Sequence, residues 1–201
     1  MRLVEPSMDE HIASVPLDKA YRLLNHGPTV LVSARHGSSD NVMAAAWACA
    51  LDYTPPKLTV VLDKVAKTRE LVEKSGRLVI QVPTVALLDL TYQVGHVSLS
   101  NDPQKLAHCS VGLFGIEGHD LPFVAGCSAW LACRVLREPH NEQTYDLFIA
   151  EIEAAWADTR VFKDGHWQFE TADPELRSLH YIAGGHFYAI GEVQNARDDV
   201  A

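Results

Sequence analysis

A chain of 201 residues, 47% hydrophobic and 21% charged, can bury a sizeable core, so one domain over residues 1–201 is expected, with its core at about 15–193. A formal net charge of -9 argues against nucleic acid or an anionic membrane as partner, and any anionic ligand has to be met by a local positive site. The first ten residues carry Arg2, Glu5, Asp9 and Glu10 without an apolar run, and the longest apolar stretch, 43–51, is far short of the ~20 residues that span a bilayer. Neither a secretory signal nor a membrane span is therefore expected, and the cytoplasm is the default location.

In chain order, Pro16 opens a short helix with Leu17, Tyr21 and Leu24 at helical spacing, ended by Gly27-Pro28. Residues 29–33 are apolar and β-branched and read as a strand; the polar run 36–41 reads as a turn, and the apolar run 42–51 pairs back as a hairpin. Alanines 44, 45, 46 and 48 permit close approach there, although they also permit a helix. Thr54-Pro55-Pro56 is a break, 57–63 a strand, 67–75 a compact helix stopped by Gly76, and 78–82 a buried strand. The pattern predicts a helix over 84–94 ending at Gly95, and another begun by Asp102 as cap and Pro103 at its first position. The segment 112–126 reads as loop-rich, followed by long strands over 128–137 and 147–158 and a last one over 186–190. Strands dominate at intervals too irregular for a doubly wound sheet, which points to a mainly antiparallel, closed barrel with short peripheral helices.

The signatures GxGxxG, GxxxxGK[ST], HExxH and GxSxG are missing, so the dinucleotide, P-loop, zincin and hydrolase readings lack their motifs. Cys49, Cys109, Cys127 and Cys133 have no CxxC spacing and read as reduced core thiols. No His, Asp and Glu set has ligand spacing on one predicted element, so a metal is not expected. Lys67-Thr68 at a helix start is the informative pair: a helix N-terminus offers free N–H groups and a positive dipole end, and Lys64, Lys67 and Arg69 add charge. Plain capping by Thr68 explains the pair equally well in isolation. Just upstream, Asp40-Asn41-Val42-Met43-Ala44-Ala45-Ala46-Trp47 suits a flat ring laid against exposed backbone with Trp47 as an aromatic wall; alone, it reads as a tight hairpin with a core tryptophan.

The order of these features resembles the flavin-reductase-like, FMN-binding split-barrel family, which includes flavoredoxins. The resemblance rests on Asn41-Val42-Met43-Ala44-Ala45-Ala46-Trp47, Thr54-Pro55-Pro56, Lys67-Thr68-Arg69-Glu70-Leu71, Gly95-His96-Val97-Ser98, Asp102-Pro103-Gln104-Lys105 and Gly184-Gly185-His186-Phe187-Tyr188. It implies a six-stranded antiparallel Greek-key split barrel acting as a homodimer with FMN near the subunit interface. By position, Asn41, Met43, Ala44, Ala46 and Trp47 would frame the flavin ring. Lys67 and Thr68 would hold the phosphate, Ser98 and Lys105 would add ribityl or phosphate contacts, and His186 and Tyr188 would approach from the last strand. The chain departs from the family pattern at Ala44 and Ala46, where hydroxyl residues are common, and at Leu99 after Ser98.

The activity so implied is an oxidoreductase of flavin reductase or flavoredoxin type. It would pass electrons from NAD(P)H through FMN to a flavin, iron or another small-molecule or protein acceptor. Two alternatives are a flavin-binding electron carrier without NAD(P)H activity of its own, and a split-barrel binding protein that has lost FMN.

Overall fold

The computed structural model describes residues 10–196. The opening segment read for a secretory signal therefore lies, except for Glu10, outside the described residues. The elements run as β1 (Ile12–Ser14), α1 (Leu17–Ala20), β2 (Val30–His36), β3 (Ser39–Ala45), β4 (Ala48–Tyr53), β5 (Pro56–Val61), α2 (Lys67–Ser75) and β6 (Arg77–Val82). They continue as α3 (Leu88–His96), α4 (Lys105–His108), β7 (Leu113–Ile116), β8 (His119–Val124), β9 (Ala129–Leu136), α5 (Pro139–Thr144) and β10 (Leu147–Asp158). Two small hairpins close the chain, β11 (Phe162–Lys163) with β12 (His166–Trp167), and β13 (Leu179–Ala183) with β14 (His186–Ala189).

The principal sheet is antiparallel throughout, in the order β3-β2-β6-β9-β10-β5-β4, with β1 added to β10. It has eight strands rather than six, because β1 pairs through Ile12 to Ser14 with the far end of the long β10, and both β3 and β4 are separate strands. The single apolar run 42–51 divides at Ala46-Trp47, where the chain leaves one end of the sheet and re-enters at the other. β3 and β4 are not hydrogen-bonded to each other, so the barrel is split there rather than closed.

What curls the sheet is burial. Val30, Val32, Leu58, Val60, Leu78, Ile80, Leu131, Cys133, Phe148 and Ile152 share one apolar interior, and Met43, Ala45, Ala48 and Ala50 from the two split edges pack on the same cluster. Helix α2 adds Leu71 and Val72. The reverse face of β2, β3, β6 and β9 presents Leu31, Val42, Val79 and Trp130 to a second cluster, completed by Phe114, Leu121 and Phe123 of β7–β8 and Val94 of α3. Being buried on both faces, β2 and β6 carry continuous apolar runs instead of alternation. Buried Gln81 ties the layers by donating to Ser33 Oγ and accepting from the Val124 N–H, while Ser33 donates to the Pro122 carbonyl.

Several boundaries differ from the sequence reading, each for a local reason. The turn in 36–41 shrinks to Gly37-Ser38, because Gly37 at φ +60° makes a two-residue hairpin turn. The glycine-rich stretch 112–126 is the β7–β8 hairpin, whose turn uses Gly118 at φ +81°. The helix over 84–94 begins as a 3-10 turn at Val85–Leu87, and Gly95 lies inside α3 instead of stopping it. The helix after Pro103 starts only at Lys105; Asp102 uses its carboxylate to accept from the Gln104 N–H at 2.9 Å. Cys49 is exposed because alternation on β4 turns it outward, correcting its reading as a core thiol; Cys109, Cys127 and Cys133 are buried, and all four are free.

Candidate functional site

Strand β3 is the end of the sheet, hydrogen-bonded on one side only. Its hairpin with β2 closes at His36 and Ser39, and antiparallel pairing alternates, so Asn41 and Met43 exchange bonds with β2 while the N–H and C=O groups of Asp40, Val42 and Ala44 point to the free edge. Helices α2 and α3 both pack on β3, which makes this edge the floor of a slot. On the α3 side the approach is close because Gly95 has no side chain: a Cβ there would sit 3.3 Å from Ala44 Cβ.

At the α2 end, Asn41 Nδ2 donates to Thr68 Oγ1 at 3.0 Å, and both residues are buried. Thr68 thus keeps its own O–H free to donate, and Asn41 Oδ1 is sealed from solvent without a partner. Ala66 occupies the N-cap of α2 and provides no side-chain cap. Lys67 pairs with Glu70 one turn along, and the two lysines around Glu70, Lys67 and Lys74, hold its carboxyl down to about 2. Such a solvated pair is weak, so Lys67 can turn to a stronger anion. Arg69 and Lys64, read as further charge for this site, are committed elsewhere. Arg69 bonds the carbonyls of Leu62 and Glu142, pairs with Asp146 and Glu73 and lies over Phe148, while Lys64 faces Asp146. Asp40 is likewise held by Arg35 through two 2.7 Å bonds.

At the α3 end lies a cleft of about 270 Å³ lined by Thr29, Ala44, Ala45, Ala46, Thr91, Tyr92, Gly95, His96, Tyr181 and Phe187. Tyr92 and His96 lie against each other at 4.0 Å between ring centroids, tilted by 40°, and His96 Nδ1 donates to the Tyr92 carbonyl at 2.8 Å. The Thr91 hydroxyl is buried without a partner.

The structure therefore joins Asn41, Lys67 and Thr68 at one end of the slot and places Ala44 and Ala46 at the other. Met43 turns its side chain into the barrel interior and bonds β2 through its backbone, so it gives the free edge no donor of its own. Trp47 is 74% exposed at the β3–β4 split, a rim position rather than a core one. Ser98 and Lys105 lie beyond α3 and do not line the cleft; Lys105 is only 2% exposed, and burial brings its ammonium down to about 8, with no carboxylate paired to it among the described residues. His186 and Tyr188 do not line the cleft either, because alternation on β14 gives that place to Phe187. The residues that sequence reasoning missed are Tyr92 and His96, four apart on α3, together with Thr91, Tyr181 and Phe187. The helical spacing of Tyr92, Gly95 and His96 was the available signal.

A split antiparallel barrel whose free edge forms a slot under a helix start defines the class. Residues 22–174 match the flavin reductase like domain. The chain is 39% identical to the Escherichia coli (strain K12) protein YddH over 181 residues, covering 89% of this chain and 94% of that one. Among solved structures it is similar to an FMN-binding domain of a flavin reductases-like enzyme from Shewanella baltica OS155, at 68% identity and a TM-score of 0.93, covering 95% of this chain and all of the other. Flavoredoxin of Desulfovibrio vulgaris (Miyazaki F) shares the fold at 23% identity and a TM-score of 0.73, over 87% of this chain and 92% of its own. The chain belongs to the flavin reductase-like family of split-barrel proteins.

Proposed function

We propose that the chain binds FMN along the β3 edge and passes electrons from NAD(P)H through it to a flavin, iron or protein acceptor. The observation that carries this reading is the uncapped start of α2 beside the unpaired β3 edge: the free N–H groups of a helix start and of a strand edge lie along one slot, as a phosphate joined to a flat ring would require. The phosphate would take the α2 N–H groups, the Thr68 hydroxyl and Lys67 turned away from Glu70; Lys105 of α4, buried and with no ion pair among the described residues, is the further cation we assign to the ligand, for its phosphate or ribityl end. Ala44 and Ala46 leave room for a flat ring to reach the backbone, and Tyr92, Tyr181 and Phe187 wall the cleft. The FMN-binding Shewanella relative at 68% identity supports the choice of cofactor. Bound there, FMN supplies the hydride and electron chemistry; the protein's part is to place it and to present N–H donors to its ring.

The outer face of β4 supports the proposed homodimer. Leu51 and Tyr53 are 52% and 65% exposed on this end strand, which continues from Trp47 and the cleft residue Ala46. A second copy seated there would place the FMN slot beside the interface.

The test is a visible titration of purified protein with FMN, followed by anaerobic NADH and NADPH. The double variant Lys67→Ala, Thr68→Ala should weaken FMN binding about 100-fold or more, since charge-assisted bonds contribute ~1.5–3 kcal/mol each. Unchanged affinity would remove the phosphate from α2. A yellow protein reduced only by a protein donor would be an electron carrier, and one with no FMN affinity would sink both redox readings.

A further inference from the structure

The β13–β14 hairpin, which gives the cleft Tyr181 and Phe187, stands outside the principal sheet. It is fastened to the segment before β2 at a few points. Thr29 N–H donates to the Leu179 carbonyl at 2.8 Å, Tyr181 N–H donates to Thr29 Oγ1 at 2.7 Å, and His180 Nδ1 meets the Gly27 carbonyl at 3.1 Å. Between them lies a chain of side chains: His26 Nε2 is 3.1 Å from Ser178 Oγ, which is 3.4 Å from His180 Nε2.

With His180 neutral, the Gly27 carbonyl fixes the direction of every proton in that chain. A carbonyl only accepts, so His180 carries its proton on Nδ1 and its Nε2 accepts from Ser178. The Ser178 oxygen then accepts from His26 Nε2–H. His26 Nδ1 is left as a bare lone pair, sealed from solvent with no partner, although other parts of the residue reach water. The ring is boxed by Trp167, edge-on at 5.1 Å between centroids, and by Phe169 at 5.6 Å, and the titratable group facing it is His180 at 5.8 Å. Arg22, on the adjoining turn, sends its guanidinium to Gly165 and His166. A proton on Nδ1 would thus be a buried donor without an acceptor, placing a cation beside a second imidazole.

We propose that the His26–Ser178–His180 chain is an acid-sensitive latch: protonation of His26 releases the β13–β14 hairpin and with it the Tyr181 and Phe187 wall of the cleft. Burial first, and His180 second, hold His26 down to about 3 from an ordinary 6.5 in the closed form. The open form therefore takes up a proton at a pH where the closed form does not. Closure is fully favoured above 6.5 and weakens as pH falls below it. Between pH 7.5 and 5.0 the open fraction should rise about 30-fold.

Hydrogen exchange of the full chain at those two pH values, corrected for the intrinsic rate, tests this without any bound cofactor. The expected result is a loss of protection of about 30-fold in β13–β14, centred on the Tyr181 N–H, with β9 and β10 unchanged. His26→Phe fits the same aromatic box and should abolish the loss; His26→Gln, a neutral donor to Ser178, serves if Phe is not accommodated. Constant protection in the wild type, a drop shared by the whole chain, or a drop surviving in both variants overturns the latch.

Discussion

At the residue scale, Lys105 is the side chain whose isolation predicts most. It is buried with no carboxylate paired to it among the described residues, so in the protein alone the desolvation of its charge outweighs its interaction with Cys109. Lys105→Met should keep or raise the melting temperature of the FMN-free protein and lower FMN affinity about 10- to 100-fold, the range of one charge-assisted bond. Because burial brings the ammonium from 10.5 down to about 8, FMN affinity should fall as pH rises through 8 in the wild type and stay level in the variant. Fluorescence titrations at pH 7 and 9.5 check both effects. Arg69 shows the opposite fate of a cation: the sequence marks it as charge near a phosphate, but its guanidinium is spent on Leu62, Glu142, Asp146 and Glu73, bracing α2 against the start of β10. Spacing reveals that a cation is near a helix start, and only packing decides whether carbonyls have already claimed it.

At the element scale, α2 was fully legible. Its bounds of 67–75 and its stop at Gly76 follow from local chemistry, and Gly76 takes φ +68° with its N–H on the Val72 carbonyl. A Cβ at Gly76 would meet nothing within 4 Å, so Gly76→Ala isolates backbone strain. That strain of ~1 kcal/mol should lower the melting temperature by about 2–4 °C, measured by thermal circular dichroism. Helix α3 and the β7–β8 hairpin were misread because glycine has two uses. Gly95 sits in the last turn of α3 to let it approach Ala44, whereas Gly118 makes a turn inside what reads as a loop. On β14 the residue that lines the cleft is Phe187, while its neighbours His186 and Tyr188, expected near the cofactor, alternate to the other face. A four-residue strand carries no marker of which face meets a cleft until Tyr92 and Ala46 are set opposite.

At the scale of the whole molecule, the exposed face of β4 gives the proposed dimer a direct test. Leu51→Glu should shift sedimentation from twice the chain mass to the chain mass while leaving the circular dichroism spectrum in place, since Leu51 is half exposed and outside the core clusters. A wild-type monomer at all concentrations would refute the assembly. The sequence by itself determined the class: antiparallel strands with short helices, the order of motifs from Asn41 to Tyr188, and the succession of a small-residue strand and the α2 start. These are local properties, written in period, turn residues and spacing. Only the tertiary structure decided that β3 and β4 end opposite sides of one split sheet, that Asn41 bonds Thr68 across 27 positions, and that Tyr92, His96, Tyr181 and Phe187 close on Ala44–Ala46. Contacts between distant segments depend on which faces the two cores bury, and that is settled by the packing of the whole chain.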